Sequence, residues 1–337
     1  MKDENIEQDE RKRGPDWYVA FAEQHEHALF GRGQLDALDA LQAEHAGLLD
    51  ALDESYYSDR AAGIRIGVAA WRFWLLRGHL TEGREKLIRL LDDRAEVPPQ
   101  LRARGITVLG VIAFFQGDHA GARLHAEQSL GLAAEIDDPW SLAFSKTVLG
   151  WAAQAAGDYT AASSFFQESL ILFKRMGHRW GEAVSLLNLG EVARSLGDTE
   201  AAEQFYLEDL AIYRELDEQS AIAATLCNLG YVALRRANTP SARDYFKETI
   251  LLCQRLGNRQ FAVGTFIGLA GVEAAEGYWA KAARLLGVAD GVLKQIKGAL
   301  EPADELERAR VTATTRDALG ERAFDSPWRE GNAMSMN

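Results

Sequence analysis

Apolar residues along this chain recur at helical spacing, and the helical faces themselves recur at a fixed interval. The turn-like pairs Gly117-Asp118, Gly157-Asp158, Gly197-Asp198, Ala237-Asn238 and Gly277-Tyr278 follow one another at 40 residues. Leu109-Gly110, Leu149-Gly150, Leu189-Gly190, Leu229-Gly230 and Leu269-Ala270 keep the same interval, as do Ile136, Met176, Leu216 and Leu256. Each unit reads as helix, tight turn, helix, loop. Between Trp180 and Asp217, one face of a first helix carries Ala183, Leu186, Leu187 and Gly190. Gly197 ends that helix, because glycine takes a positive φ without strain. Asp198 or Thr199 caps the next helix, which turns Ala202, Phe205, Tyr206 and Leu210 inward. Thr239-Pro240 is expected to open the matching helix of the following unit, with proline at its first position. Neither helix can bury its apolar stripe alone, whereas stacked pairs can.

The flanks are less regular. Residues 1–14 form a charged segment expected to be disordered, and residues 15–96 hold irregular helical units. Within the latter, helices are expected over about Trp17–Phe30, over 34–53, and from Ala69 to a turn at Gly78. Val97-Pro98-Pro99 breaks the chain before five regular units over 97–297. Residues 298–337 carry a helix starting near Glu301-Pro302 and ending at Gly320, then a short one with Ala323, Phe324 and Trp328. Such caps hide the last apolar face of a stack.

The repeat resembles the tetratricopeptide (TPR) motif. Twelve residues after each Leu-Gly glycine position stands a small residue: Ala122, Ala162, Ala202, Ala242, Ala282. Sixteen after it stands a bulky one, Phe166, Tyr206, Phe246 or Leu286, with Ala126 departing in the first unit. The ordinary TPR unit has about 34 residues. A length near 40 also fits HEAT-like pairs, but the order Leu-Gly, Ala, aromatic favours TPR. The resemblance implies an all-α, right-handed α-α superhelix of about six to seven helix pairs with helical caps.

A second resemblance is narrower. Leu38-Asp39-Ala40-Leu41-Gln42-Ala43-Glu44-His45, Trp71-Arg72-Phe73-Trp74 through Gly83-Arg84, and Ala282-Ala283-Arg284-Leu285-Leu286-Gly287 through Ala323-Phe324 are similar to the C-terminal MalT-like TPR region of bacterial LuxR-type and antibiotic-regulator-type proteins. Those regulators carry a signal-transduction NTPase domain ahead of the repeats. The likeness spans roughly 17–331 and implies a sensor or partner-binding arm in transcription regulation. No GxxxxGK[ST] motif and no helix-turn-helix is present, so neither ATP hydrolysis nor DNA reading carries over.

Composition narrows the chemistry. A formal net charge of −13 disfavours direct nucleic-acid binding. No apolar run approaches the roughly 20 residues of a membrane helix, and the polar start Met1-Lys2-Asp3-Glu4 suggests no signal peptide. The expected location is therefore the cytoplasm. Cys227 and Cys253 lack metal or redox spacing and read as packed thiols. No HExxH, GxSxG or GxGxxG motif occurs, so no enzyme, cofactor or metal is expected. His25 and His27 face different sides of a helix and do not share an ion. His119, His125 and His178 read as structural, and Glu191 with Arg194 as a surface ion pair.

The remaining candidate is the concave wall. First-helix residues at −6, −3, +1, +4 and +5 from the repeat glycine should face it. This places Phe114, Phe115, Phe144, Trp151 and Tyr231 in an aromatic strip beside Arg104, Glu191, Arg194 and Arg235. Aromatic residues and arginine make strong anchors, although rings at helical spacing also serve as core. The fifth unit offers only Gly264, Ile267, Gly271 and Ala274, small enough for the C-terminal cap to fold back over the groove. The first reading is a non-catalytic module that binds a protein or peptide partner in regulation. The alternative is a sensor for a small hydrophobic ligand such as a metabolite or antibiotic. An enzyme on a helical scaffold is the third.

Overall fold

The computed structural model describes residues 13–92, 96–256, 259–296, 300 and 302–334. Residues 1–12 of the expected tail lie outside it. Every regular element among the described residues is helical. The chain divides into two compact units, Met1–His178 and Arg179–Asn337.

The first unit holds α1 (Pro15–Glu26), a 3-10 turn (His27–Phe30), α2 (Gln34–Ala43), α3 (His45–Ser58), α4 (Arg60–Arg77), α5 (Leu80–Leu90), α6 (Pro99–Phe115), α7 (His119–Ile136), α8 (Pro139–Ala155) and α9 (Tyr159–Met176). The second holds α10 (Arg179–Ser195), α11 (Thr199–Leu216), α12 (Gln219–Arg235), α13 (Thr239–Leu256), α14 (Arg259–Ala275), α15 (Trp279–Ile296), α16 (Pro302–Leu319) and α17 (Glu321–Asn332). The repeat is thus the antiparallel pairs α6/α7 and α8/α9 in one unit, and α10/α11, α12/α13 and α14/α15 in the other. Second helices end at Ile136, Met176, Leu216 and Leu256, the residues whose spacing predicted it.

Local chemistry explains the turns. Gly117, Gly157, Gly197 and Gly277 all take φ near +80°, and Ala237 takes φ 57° at the equivalent place. Asp118, Asp158 and Asp198 accept backbone N–H bonds from the residues three ahead. In the fourth pair the capping residue is Asn238, which accepts from Ser241 N at 3.3 Å. Thr239 is therefore the first residue of α13, and Pro240 the second. The helix expected over 34–53 is two helices. It bends at Glu44 (φ −99°), whose carboxylate accepts from Tyr18 Oη at 3.0 Å and from Arg13 at 2.7 Å.

The repeat glycine has a steric role. A Cβ on Gly190 would lie 2.5 Å from the Tyr206 ring, and one on Gly230 2.5 Å from the Phe246 ring. The two departures from the motif obey the same constraint. Where Ala126 replaces the ring, a Cβ on Gly110 would meet nothing closer than 3.4 Å. Where alanine replaces the glycine, at Ala270, the bulky partner is the aliphatic Leu286.

A hydroxyl ladder runs inside the pairs. Ser129 Oγ lies 2.6 Å from Thr107 Oγ1 and donates to Ala103 O at 2.9 Å. Forty residues on, Ser169 Oγ lies 2.7 Å from Thr147 Oγ1 and donates to Ala143 O at 3.0 Å. The next position in the series is Asp209, and the threonine position beside it is Leu187. Asp209 is wholly buried (0% exposed), and neither carboxylate oxygen has a hydrogen-bond partner. Burial pushes its pKa up to about 8, with the Glu191 charge adding to the rise; the Thr225 hydroxyl lies close enough to oppose it but makes no well-formed hydrogen bond, so the opposition is weak.

Candidate functional site

In the first unit the structure assembles three of the expected residues. Phe114 stacks on Trp151 at 5.2 Å and 25° between planes. Phe115 meets Trp151 edge-on at 5.5 Å and Phe114 at 5.7 Å, and His119 lies 5.1 Å from Phe114. These residues close the C-terminal end of α6 and the adjoining stretch of α8. Phe115 is 46% exposed, while Phe114 and Trp151 are half-buried. A polar rim adjoins them: Arg84 donates to Gln116 Oε1 at 3.0 Å and to Asp118 Oδ2 at 2.6 Å.

Phe144 does not join that surface. It is 3% exposed and lies within a ring cluster, 4.3 Å from Trp140, 5.0 Å from Phe173, 5.7 Å from His178 and 6.2 Å from Trp71. Phe30, from the 3-10 turn, adds a further ring 6.0 Å from both Trp71 and His178. The N-terminal segment thus fills the inner wall at this level. Tyr231 is likewise core, at 2% exposure. It packs on Phe246 at 5.2 Å, and its hydroxyl donates to Gly264 O at 2.6 Å, tying α12 to α14. The strip expected as one lining is therefore a trio, exposed at Phe115 and half-buried at Phe114 and Trp151, plus two core rings. The −3 positions also point inward, as the Thr107 and Thr147 bonds show.

The expected arginines are engaged. Arg104 donates to both oxygens of buried Asp138, at 3.0 and 3.3 Å. Burial alone would raise the Asp138 pKa; bonds from Arg104, Ser141 and Gln100 outweigh it and hold the carboxyl below the usual range. Arg104 also lines a cleft of ≈ 200 Å³ with Glu23, Glu26, Arg65 and Trp140, and its guanidinium sits 5.5 Å from the Trp140 ring centre. Burial raises the Glu26 pKa there, helped by Glu23 and opposed by Arg104. In the second unit Glu191 and Arg194 are half-buried. Burial works against the Arg194 charge, but Tyr206 and Glu191 outweigh it and raise its pKa.

Arg235 reaches the C-terminal cap. Its Nε and one terminal nitrogen donate to Glu307 Oε1 at 3.2 and 2.8 Å, and Glu307 is buried. The cap helix α16 covers the glycine-rich face of α14, as the small residues there predicted. A Cβ on Gly264 would come 2.9 Å from Asp304 Oδ2, and one on Gly271 3.5 Å from Val311 and 2.7 Å from Leu234. Both thiols are free, and burial pushes Cys227 up to about 12 and Cys253 to about 11, so neither is a nucleophile.

Paired helices with a Leu-Gly, Ala, aromatic order define a TPR-type helical-repeat protein. The MalT-like TPR region matches residues 106–325, well over half of the 337, and the chain belongs to that family. No curated protein sequence matches it. Solved structures share the fold. The apo quorum sensor NprR of B. thuringiensis is 13% identical with a TM-score of 0.63, over 92% of this chain and 85% of that one. A Rap protein complexed with competence and sporulation factor is 16% identical with a TM-score of 0.58, over 95% of each. The Pyrococcus horikoshii signal transduction ATPase with a TPR sensor is 15% identical with a TM-score of 0.54, over 94% of this chain and 44% of that one. No helix among the described residues is long and apolar enough to cross a membrane.

Proposed function

We propose that this chain is a non-catalytic binding module of a bacterial cytoplasmic regulatory pathway, holding a protein or peptide segment against Phe114, Phe115 and Trp151. The observation that carries this reading is the exposed Phe115 edge over the stacked Phe114–Trp151 pair. Three rings sharing one surface, beside the Arg84–Asp118–Gln116 rim, have the make-up of an interaction hot spot: aromatic anchors that desolvate on binding, with polar groups around them. The Rap neighbour, solved in complex with competence and sporulation factor, supports a bound guest on this fold. The small apolar ligand is less well served, because the cleft at Arg104 has four charged walls, Glu23, Glu26, Arg65 and Arg104.

Selection of phage-displayed random peptides on the intact chain tests this. Enriched peptides should carry a bulky apolar side chain, and Phe115→Ala should weaken them about 10-fold or more, as expected for loss of a hot-spot ring. Phe115 is exposed enough that its removal should leave the melting temperature nearly unchanged. Peptides that bind the variant as tightly as the native chain would show that the trio is not the anchor.

A further inference from the structure

Away from these surfaces, one cluster brings three potential ligating side chains together. His45 is the first residue of α3, His79 precedes α5 as its N-cap residue, and Glu82 lies in the first turn of α5. Among the described residues this is the group of three metal-competent side chains whose ligating atoms all lie within 4.8 Å of one another. We propose that His45, His79 and Glu82 form a binding site for a divalent transition cation, with Zn²⁺ the best fit.

His79 Nε2 lies 3.0 Å from Gln42 Oε1, an acceptor. A neutral His79 that donates there carries its proton on Nε2, which leaves the Nδ1 lone pair facing Glu82 Oε2 at 3.1 Å. His45 Nε2 lies 3.7 Å from the same Glu82 oxygen; it is buried and has no hydrogen-bond partner, in a residue only 9% exposed. Three potential ligand atoms, His45 Nε2, His79 Nδ1 and a Glu82 oxygen, thus lie within 4.8 Å of one another, close enough to share one cation. A histidine ligand whose second nitrogen donates to an oxygen is the usual outer-shell pattern at metal sites, and Gln42 fills that role here.

The dimensions agree. Tetrahedral zinc with bonds of about 2.1 Å sets its ligands about 3.4 Å apart. The two edges at Glu82, 3.1 and 3.7 Å, bracket that value. The third edge, between the two stacked imidazoles, is within 4.8 Å and closes by a small shift of the exposed Glu82 and the partly exposed His79. Phe73 borders both rings at 5.5 Å and supplies an apolar wall. Two histidines and one carboxylate leave one position of a tetrahedron open, and nitrogen with carboxylate oxygen suits zinc better than calcium or magnesium.

Titrating the chelator-stripped full chain with Zn²⁺, by calorimetry and by competition with a chromogenic chelator, tests the site. One equivalent should bind and raise the melting temperature. His45→Gln, His79→Gln and Glu82→Gln should each weaken binding at least 10-fold, and Gln42→Ala about 10-fold. His25→Ala should leave it unchanged. Glu82→Gln is a surface change that should preserve the metal-free melting temperature, so its result does not depend on a folding defect. Absence of saturable Zn²⁺ binding, or equal binding by the His45→Gln/His79→Gln double variant, would overturn the site and leave an imidazolium–carboxylate contact only.

Discussion

Replacing Asp209 by serine would restore the side chain that the ladder carries at Ser129 and Ser169, and its effect can be worked from the structure. The unfolded carboxyl ionises near its ordinary 3.8, while the buried one holds its proton to about 8. Between those values the folded chain binds one more proton than the unfolded chain, so stability falls as pH rises, by about 1.4 kcal/mol per pH unit. At pH 7 the penalty is of order 4 kcal/mol, and above pH 8 it levels off because both states are then ionised. Serine carries no such penalty, and its hydroxyl is placed to donate to Ala183 O, the counterpart of Ala103 and Ala143. The smaller side chain leaves a cavity that offsets about 1 kcal/mol. Asp209→Ser should therefore stabilise the second unit by roughly 2–3 kcal/mol at pH 7, a rise of order 5–10 °C in its melting temperature. The gain should vanish near pH 4. Urea unfolding of both chains at several pH values from 4 to 9 reads this directly. A variant that is less stable at pH 7, with the native pH slope unchanged, would mean that the carboxylate is ionised and satisfied in the fold, and the burial argument would fail.

Two glycine substitutions separate steric need from helix propensity. Gly230→Ala drives a methyl into the Phe246 ring and should cost about 1–3 kcal/mol in thermal or denaturant unfolding. Gly110→Ala, with 3.4 Å of clearance, should be neutral or stabilising by up to about 1 kcal/mol. At the C-terminal end, a Cβ on Gly287 would overlap Trp328 O and lie 2.9 Å from Asn332 N. Gly287→Ala should release α17 from α15, seen as a red-shifted Trp328 emission and faster amide exchange over Glu321–Asn332, with the earlier pairs unaffected.

The repeat was open to reading because its causes are local. Turn glycines, capping aspartates and the small-against-ring pairing all act within one pair or between neighbours, so each leaves a residue at a fixed interval. The wall residues were harder to place because distant chain decides their fate. Phe144 is enclosed partly by Phe30 and Trp71, and Tyr231 is fixed by a carbonyl on α14. Arg104 meets Asp138 from the next pair, and Arg235 meets Glu307 from the cap. Phe114, Phe115 and Trp151, which keep exposed or half-buried edges, sit near the C-terminal ends of the first helices. His79 and Glu82 form a readable i, i+3 pair, but nothing in their spacing points to His45, which the α2–α3 turn delivers.

The position of α16 sets a threshold for anything that seeks the inner face of α12 and α14. A helix tethered to the surface it covers competes as though present at about millimolar concentration, however dilute the protein. A guest approaching that face would have to displace Val311 from Gly271, and strip Glu307 of its contact with Arg235. A free segment of merely equal intrinsic affinity would stay unbound at micromolar levels. Helix α16 thus acts as a filter on occupancy at this end of the second unit.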